Sequence, residues 1–265
     1  MFCPNLFKSL AVILLFSLVT LGVPRAAHAE GAAPRYKAVA FDYFVIFNPN
    51  SVVPAVEKVF PGKGMDIVKL WRTKQFEYCF LRSITAAHAD FFKVTQDALD
   101  YALESMKLAA TAAQKQEMMN AYLTLAPWPD AAAGLQKLRA HGIKIITIAN
   151  FSGSMLRANA EHAGIAPLFD NLLSTEAGSV YKPEAAAYAL GLSQLGLQKE
   201  EVVFAAFGGW DAYGAKKFGY PTYWVNRFGL PAEKLDVEAD ATSVDFEGLL
   251  AFVLGDAATD TSVPQ

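Results

Sequence analysis

Four short apolar runs, each leading into a polar residue, restrict this chain more than any other feature of its sequence. Lys37 to Asp42 (KAVAFD) ends on a carboxylate, and Ile143 to Ala149 (IKIITIA) runs into Asn150. Val202 to Ala206 (VVFAA) stands just ahead of Trp210-Asp211, and Thr222 to Asn226 (TYWVN) ends on an amide. Apolar runs of this length are strands buried on both faces, which happens where helices cover a parallel sheet. The intervals between them carry helical spacing: Asp130 to Ala140, Gly153 to His162, Pro183 to about Leu195, and a helix opening near Asp211. A short strand is expected near Asn171 to Ser174, and Thr222 to Asn226 is the last clear one. The alternation predicts an α/β fold, a Rossmann-like doubly wound parallel sheet with its ligands at the carboxyl ends of the strands.

One long stretch breaks the alternation. From Val52 to about Tyr122, apolar residues recur at three- and four-residue spacing, through IVKLWRTKQFEYCFL and again through DALDYALESMKLAA, with no strand-like run between. This reads as a helical cap over residues 51–124, inserted into a core made of 37–50 and 125–255, with residues 256–265 a flexible tail. Met118-Met119 and the nearby leucines fit the cap's own core.

The first 29 residues are a separate object. Lys8 precedes an apolar run from Leu10 to Val23, and Ala27-His28-Ala29 supplies a small-x-small cleavage site before Glu30. That order marks a secretory signal peptide cleaved after Ala29. The run is short of the roughly 20 apolar residues that span a bilayer, so no stable membrane anchor is expected after cleavage, and the mature chain is expected to be periplasmic or secreted. Cleavage removes Lys8, Arg25 and Cys3, leaving Cys79 alone, so the protein enters an oxidising space without an intramolecular disulfide. With 53% hydrophobic and 12% aromatic residues, an ordinary core can hold it together. The formal charge is −3 and no basic run is present, which excludes a nucleic-acid partner.

The residues at the strand ends carry the chemistry. Asp42, Asn150 and Asp211 stand at corresponding ends, and Lys182 lies in the loop VYKP before a helix. Two acids, a lysine and an asparagine converging on one crevice make a catalytic constellation. His88, His141 and His162 lack metal-ligand spacing, so neither a metal nor a cofactor is expected. Gly208-Gly209 before a helix is too little for a nucleotide loop.

The ordered set FD, LWR, EY, LR, AYL, LAPWPD, AN, VYKP, WD, GAK, FGYPT and WVNR, running from about Lys37 to about Leu235, resembles the type II 2-haloacid dehalogenases of the haloacid dehalogenase superfamily. The resemblance implies a Rossmann-like core with a helical cap, and hydrolysis of a small halocarboxylic acid. The family's carboxylate attacks the carbon bearing the halogen with inversion, and water then frees a 2-hydroxy acid from the resulting ester. Asp42 matches that nucleophile, and Arg72 the arginine that contacts the departing halide. Lys182 matches the lysine that holds charge near the nucleophile, and Asp211 the carboxylate that positions the hydrolytic water. Tyr188 matches an aromatic supporting the site, and Phe91 and Trp210 apolar pocket walls; the leaving halide also needs donors, which Asn150 in the substrate site can provide. Relatives often pair through their helical regions, which implies a homodimer. Replacing Arg72 or Lys182 with alanine is expected to lower turnover far more than stability.

The chain departs from the family pattern at defined places. The usual Asp-x-Tyr-Gly-Thr-Leu is here Asp42-Tyr43-Phe44-Val45-Ile46-Phe47, without the threonine. Ala149 replaces the serine before Asn150, and Ala206-Phe207-Gly208-Gly209 replaces a segment carrying serine and asparagine. Losing a donor from such a site can cost several kcal/mol of transition-state stabilisation. Two readings follow: a divergent dehalogenase with a more apolar pocket, or a weak or inactive relative that binds. Phosphatase activity is the rival chemistry, and it wants a second carboxylate where Phe44 stands and a hydroxyl where Ala149 stands.

Overall fold

The computed structural model describes residues 35–255, so the expected signal peptide and the expected tail lie outside the described residues. In chain order the main elements are β1 (Ala38–Phe41), α1 (Tyr43–Ile46), α2 (Val53–Val59), α3 (Gly64–Ile84), α4 (Phe91–Ser105), α5 (Ala112–Asn120), α6 (Ala131–Ala140), β2 (Lys144–Ala149), α7 (Gly153–His162), β3 (Asn171–Ser174), α8 (Ala185–Leu195), β4 (Val202–Ala206), α9 (Gly209–Phe218), β5 (Thr222–Val225), β6 (Ala241–Ser243) and α10 (Phe246–Leu254). Every apolar run read as a strand is one. The sequence reading missed β6 and α10. Strand β6 has only three residues, ATS, and none is fully buried, so it lacks the apolar signal of the others.

All six strands run parallel, in the order β3-β2-β1-β4-β5-β6. The order reverses between β1 and β4, where Ala38 pairs with both Lys144 and Val202. Such a reversal opens a crevice at the carboxyl ends of the two central strands. Period-two alternation sorts the strand side chains: Val39, Phe41, Val203 and Ala205 face one apolar layer, and Ala38, Ala40, Phe204 and Ala206 the other. Helices α6, α7 and α10 cover the first face with residues such as Leu135, Leu156 and Leu249. Helices α8 and α9 cover the second through Tyr188, Ala212 and Ala215.

Helices α2 to α5 lie between β1 and β2 with no strand among them. The chain leaves the sheet layer and returns to it along two segments paired side by side. Phe47 and Pro127 form an antiparallel bridge, Asn48 N–H donates to Ala126 O at 2.8 Å, and Trp128 N–H donates to Ile46 O at 2.9 Å. Within the helical segment a buried polar chain fixes the packing of α3 on α4. The Trp71 indole N–H donates to Thr95 O at 2.7 Å, the Gln75 amide to Thr95 Oγ1 at 2.9 Å, and the Tyr122 hydroxyl to Gln75 Oε1 at 3.0 Å.

Candidate active site

Asp42 follows β1 directly and caps the one-turn helix α1. Its Oδ1 accepts the Phe44 amide at 2.8 Å, which satisfies a helix N–H that has no partner within the helix. Its Oδ2 accepts from Lys182 Nζ at 2.7 Å. The same ammonium donates to Oδ2 of Asp211, in the first turn of α9, also at 2.7 Å. One lysine therefore bridges two carboxylates across the β1/β4 crevice. Lys182 is 1% exposed, Asp211 0% and Asp42 8%.

Burial and charge oppose each other at this triad. Burial acts to strip the proton from Lys182, but Asp211 and Asp42 more than offset it and hold the ammonium above the ordinary lysine range. Burial pushes the Asp211 carboxyl well above the usual carboxylate range; Asp42 adds to the push, and Lys182 and the Tyr188 hydroxyl pull against it. One cation shared by two acids leaves a net negative charge, and that charge falls hardest on the acid with no solvent contact.

The groups around the triad are positioned by backbone-level contacts. Tyr188, on α8, donates to Asp211 Oδ1 at 2.7 Å. Asn150 accepts the Lys182 amide N–H at 2.8 Å and the Thr175 hydroxyl at 3.3 Å, both on Oδ1, and its own amide reaches Lys182 O at 3.5 Å. In this arrangement Asn150 holds the backbone that presents Lys182. Thr175 has no sequence signal of its own, being one hydroxyl at the start of a short 3-10 helix.

Arg72, on α3, is the other cation of the site. Its guanidinium lies over the rings of Phe44 (4.5 Å to the centroid), Phe76 (5.6 Å) and Phe207 (6.0 Å). Its Nη1 is buried and has no hydrogen-bond partner among the described residues. Burial lowers its pKa below the ordinary arginine value, opposed by Tyr122 and by the negative charge of Asp42, which favours the charged guanidinium. A buried donor without an acceptor is costly unless a ligand supplies one.

The walls are aromatic. Phe91, at the start of α4, stacks on Phe151 at 4.9 Å, and Phe151 meets Phe44 edge-on at 5.1 Å. Phe44 packs on Phe207 at 5.7 Å. Trp210 lies further out, against Phe76 and Phe80 of α3, each at 5.3 Å, on the seam between α9 and the helical segment. The structure thus joins Asp42, Lys182, Asp211, Tyr188 and Asn150 in one hydrogen-bonded network. Arg72 and Phe91 attach to it through rings, and Trp210 more remotely through Phe76. Sequence reasoning missed Phe151 and Phe207, since an aromatic after a strand end looks like any core residue.

A divalent cation fits this donor set poorly. The Lys182 ammonium already stands between Asp42 and Asp211, and Phe44, two residues beyond Asp42, offers only hydrocarbon. Among the described residues no group of three or more His, Cys, Asp or Glu side chains is arranged to hold a metal.

Known proteins share this architecture. The family described as haloacid dehalogenase-like hydrolase matches residues 32–219. The (S)-2-haloacid dehalogenase of Pseudomonas sp. (strain YL) is 38% identical over 205 residues, which is 77% of this chain and 88% of that protein. The haloacetate dehalogenase H-2 of Moraxella sp. (strain B) is 35% identical over 209 residues, 78% of this chain and 93% of the relative. The structure of L-2-haloacid dehalogenase from Xanthobacter autotrophicus with chloropropionic acid covalently bound superposes with a TM-score of 0.78 at 33% identity, covering 84% of this chain and 100% of that one. With a parallel sheet reversed at β1/β4, an acid at that reversal and a family match across most of the described residues, the chain belongs to the haloacid dehalogenase-like hydrolases.

Proposed function

We propose that this protein hydrolyses the carbon–halogen bond of a small 2-haloalkanoic acid, giving the 2-hydroxy acid through an ester on Asp42. The observation that carries the reading is the Lys182 ammonium held 2.7 Å from both Asp42 and Asp211. A carboxylate attacking an anionic substrate needs neighbouring cations, because like charges must approach in a poorly screened site. Lys182 supplies one and Arg72 the other.

In the first step an Asp42 oxygen forms a bond to the carbon bearing the halogen, and the halide leaves with the bonding electron pair. The unpartnered Nη1 of Arg72 is available to receive an anion there. In the second step water attacks the ester carbonyl of Asp42, and its proton passes to Asp211. The acyl–oxygen bond breaks, the departing alkoxide takes the second proton of that water, and the 2-hydroxy acid leaves as the Asp42 carboxylate returns. The raised Asp211 carboxyl suits it to accept a proton near neutrality. Relatives named for (S)-2-haloacids and for haloacetate support substrates of this size.

Ile46, Ala149 and the segment Ala206-Phe207-Gly208-Gly209 stand where the resemblance implies hydroxyl and amide side chains, and the rings of Phe44 and Phe207 pack together. That apolar lining favours a second reading, a catalytically weak binding protein. One screen separates the two. Purified protein is incubated with chloro-, bromo- and fluoro-acids, and free halide is measured by ion chromatography. Halide released in equal amount to 2-hydroxy acid supports hydrolysis; tight acid binding without halide from any of them supports the binding protein.

A further inference from the structure

Helix α1 is a single turn, so its last carbonyls have no partner within it. Each finds one on two residues far away in sequence. Phe44 O accepts the Trp128 indole N–H at 2.9 Å, Val45 O accepts Arg227 Nη2 at 3.1 Å, and Ile46 O accepts the Trp128 backbone N–H at 2.9 Å. The same short helix has its N-terminus on Asp42, where the Phe44 N–H meets Oδ1.

Arg227 is itself fixed from several sides. It stands just past β5, and its Nη1 and Nη2 donate to the two carboxylate oxygens of Asp130 at 2.6 and 2.8 Å. Its guanidinium lies over the rings of Trp128 at 5.0 Å and Phe246 at 5.6 Å, and its side chain is 5% exposed. Asp130 Oδ2 also accepts the Phe246 amide at 3.0 Å. A buried, planar, bidentate cation is a rigid fixture that lysine does not reproduce. It sits at the C-terminal end of α1, where positive charge is favoured, while Asp42 sits at the N-terminal end, where negative charge is favoured.

The geometry points to Trp128 and Arg227 as positioning residues for Asp42: by gripping the three terminal carbonyls of α1, they aim the Phe44 N–H at Oδ1 and fix the carboxylate's orientation in the crevice. This rests on the reading of Asp42 as the nucleophile. Neither residue touches the triad. Trp128 also belongs to the segment returning from α5 to α6, so the grip ties the nucleophile's turn to the point where the helical segment rejoins the sheet.

The test uses the full chain labelled with nitrogen-15 on phenylalanine, with the Phe44 amide signal assigned by its loss in Phe44→Tyr. Trp128→Phe removes one donor and keeps a ring; Arg227→Met removes the cation; Arg227→Lys restores charge without the fork. At a temperature where each variant is folded, the Phe44 amide in Trp128→Phe and Arg227→Met is expected to move toward its position in Asp42→Asn. Its exchange with solvent is expected to rise by about ten-fold or more, a difference of about 1.4 kcal/mol in local opening. With a substrate that turns over, kcat is expected to fall about ten-fold with KM nearly unchanged, and Arg227→Lys should recover part of both effects. A Phe44 amide unchanged in position and exchange, with only a lower melting temperature, overturns the inference and leaves a structural brace. If Arg227→Met does not fold, Trp128→Phe decides. If the native protein releases no halide, the proposed function fails, while the amide signal still decides the positioning role.

Discussion

Tyr188 donates its hydroxyl hydrogen to Oδ1 of Asp211 at 2.7 Å, and neither side chain has any exposed surface. The contact depends on a glycine. A Cβ at Gly214 of α9 would lie 2.4 Å from the Tyr188 hydroxyl oxygen and 2.7 Å from Pro183 Cβ, so only glycine lets α9 approach α8 this closely. The pair gives the first prediction. The hydroxyl opposes burial in setting the Asp211 carboxyl, so Tyr188→Phe must raise that carboxyl further above the usual range. Activity that needs ionised Asp211 is lost as pH falls through its pKa. The acid limb of kcat/KM is therefore expected to move to higher pH by roughly one pH unit, the size of one hydrogen bond to a charged group. An acid limb in the same place would remove Asp211 from the protonation step.

Arg72 and Lys182 are expected to separate when each is replaced by alanine. Among the described residues Arg72 has no ion-pair partner and lies against the faces of rings, so Arg72→Ala is expected to lower stability by no more than about 2 kcal/mol. Its turnover is expected to fall by about 10² to 10³. Lys182→Ala leaves two carboxylates facing each other in the interior, and is expected to cost about 3–5 kcal/mol of stability as well as turnover. This revises, for Lys182, the expectation from sequence that turnover would fall far more than stability in both variants. Sequence gives the lysine's place in a loop, but not that it is buried between two acids. Urea unfolding beside steady-state kinetics checks both, and equal stability losses in the two variants would contradict the assignment.

The strand ends were legible because each apolar run meets its polar residue within a few positions, and a parallel sheet leaves few ways to arrange them. Asp42, Asn150 and Asp211 could be found this way, and Lys182 from the loop VYKP ahead of a helix. Thr175, Phe151 and Phe207 could not, because their importance comes from what packs against them. Strand β6 was hidden for the opposite reason: an edge strand of three half-exposed residues does not need apolar character. Arg227 read only as part of WVNR, since no local pattern announces a partner 97 residues away at Asp130.

Turnover is expected to survive exhaustive chelation. Lys182 occupies the position between the two carboxylates and Phe44 supplies no oxygen, so EDTA should leave halide release unchanged. Loss of activity restored by magnesium would instead support the phosphatase chemistry.

We propose, from Lys8, the run Leu10 to Val23 and Ala27-His28-Ala29, that the chain is exported and begins at Glu30 after cleavage. Intact mass of protein from the periplasmic fraction is expected to match residues 30–265. Full-length chain retained in the membrane would contradict export.

In the proposed reaction Asp42 becomes an ester. Hydrolysis then breaks the acyl–oxygen bond, so solvent oxygen enters the Asp42 carboxylate before it reaches product. Multiple turnovers in oxygen-18 water, followed by mass spectrometry of the peptide spanning Asp42, test this directly. Label is expected in that peptide from the native protein and none from Asp42→Asn. Label found only in the 2-hydroxy acid, with the Asp42 peptide unlabelled, would mean that water attacks the substrate itself and would contradict the account.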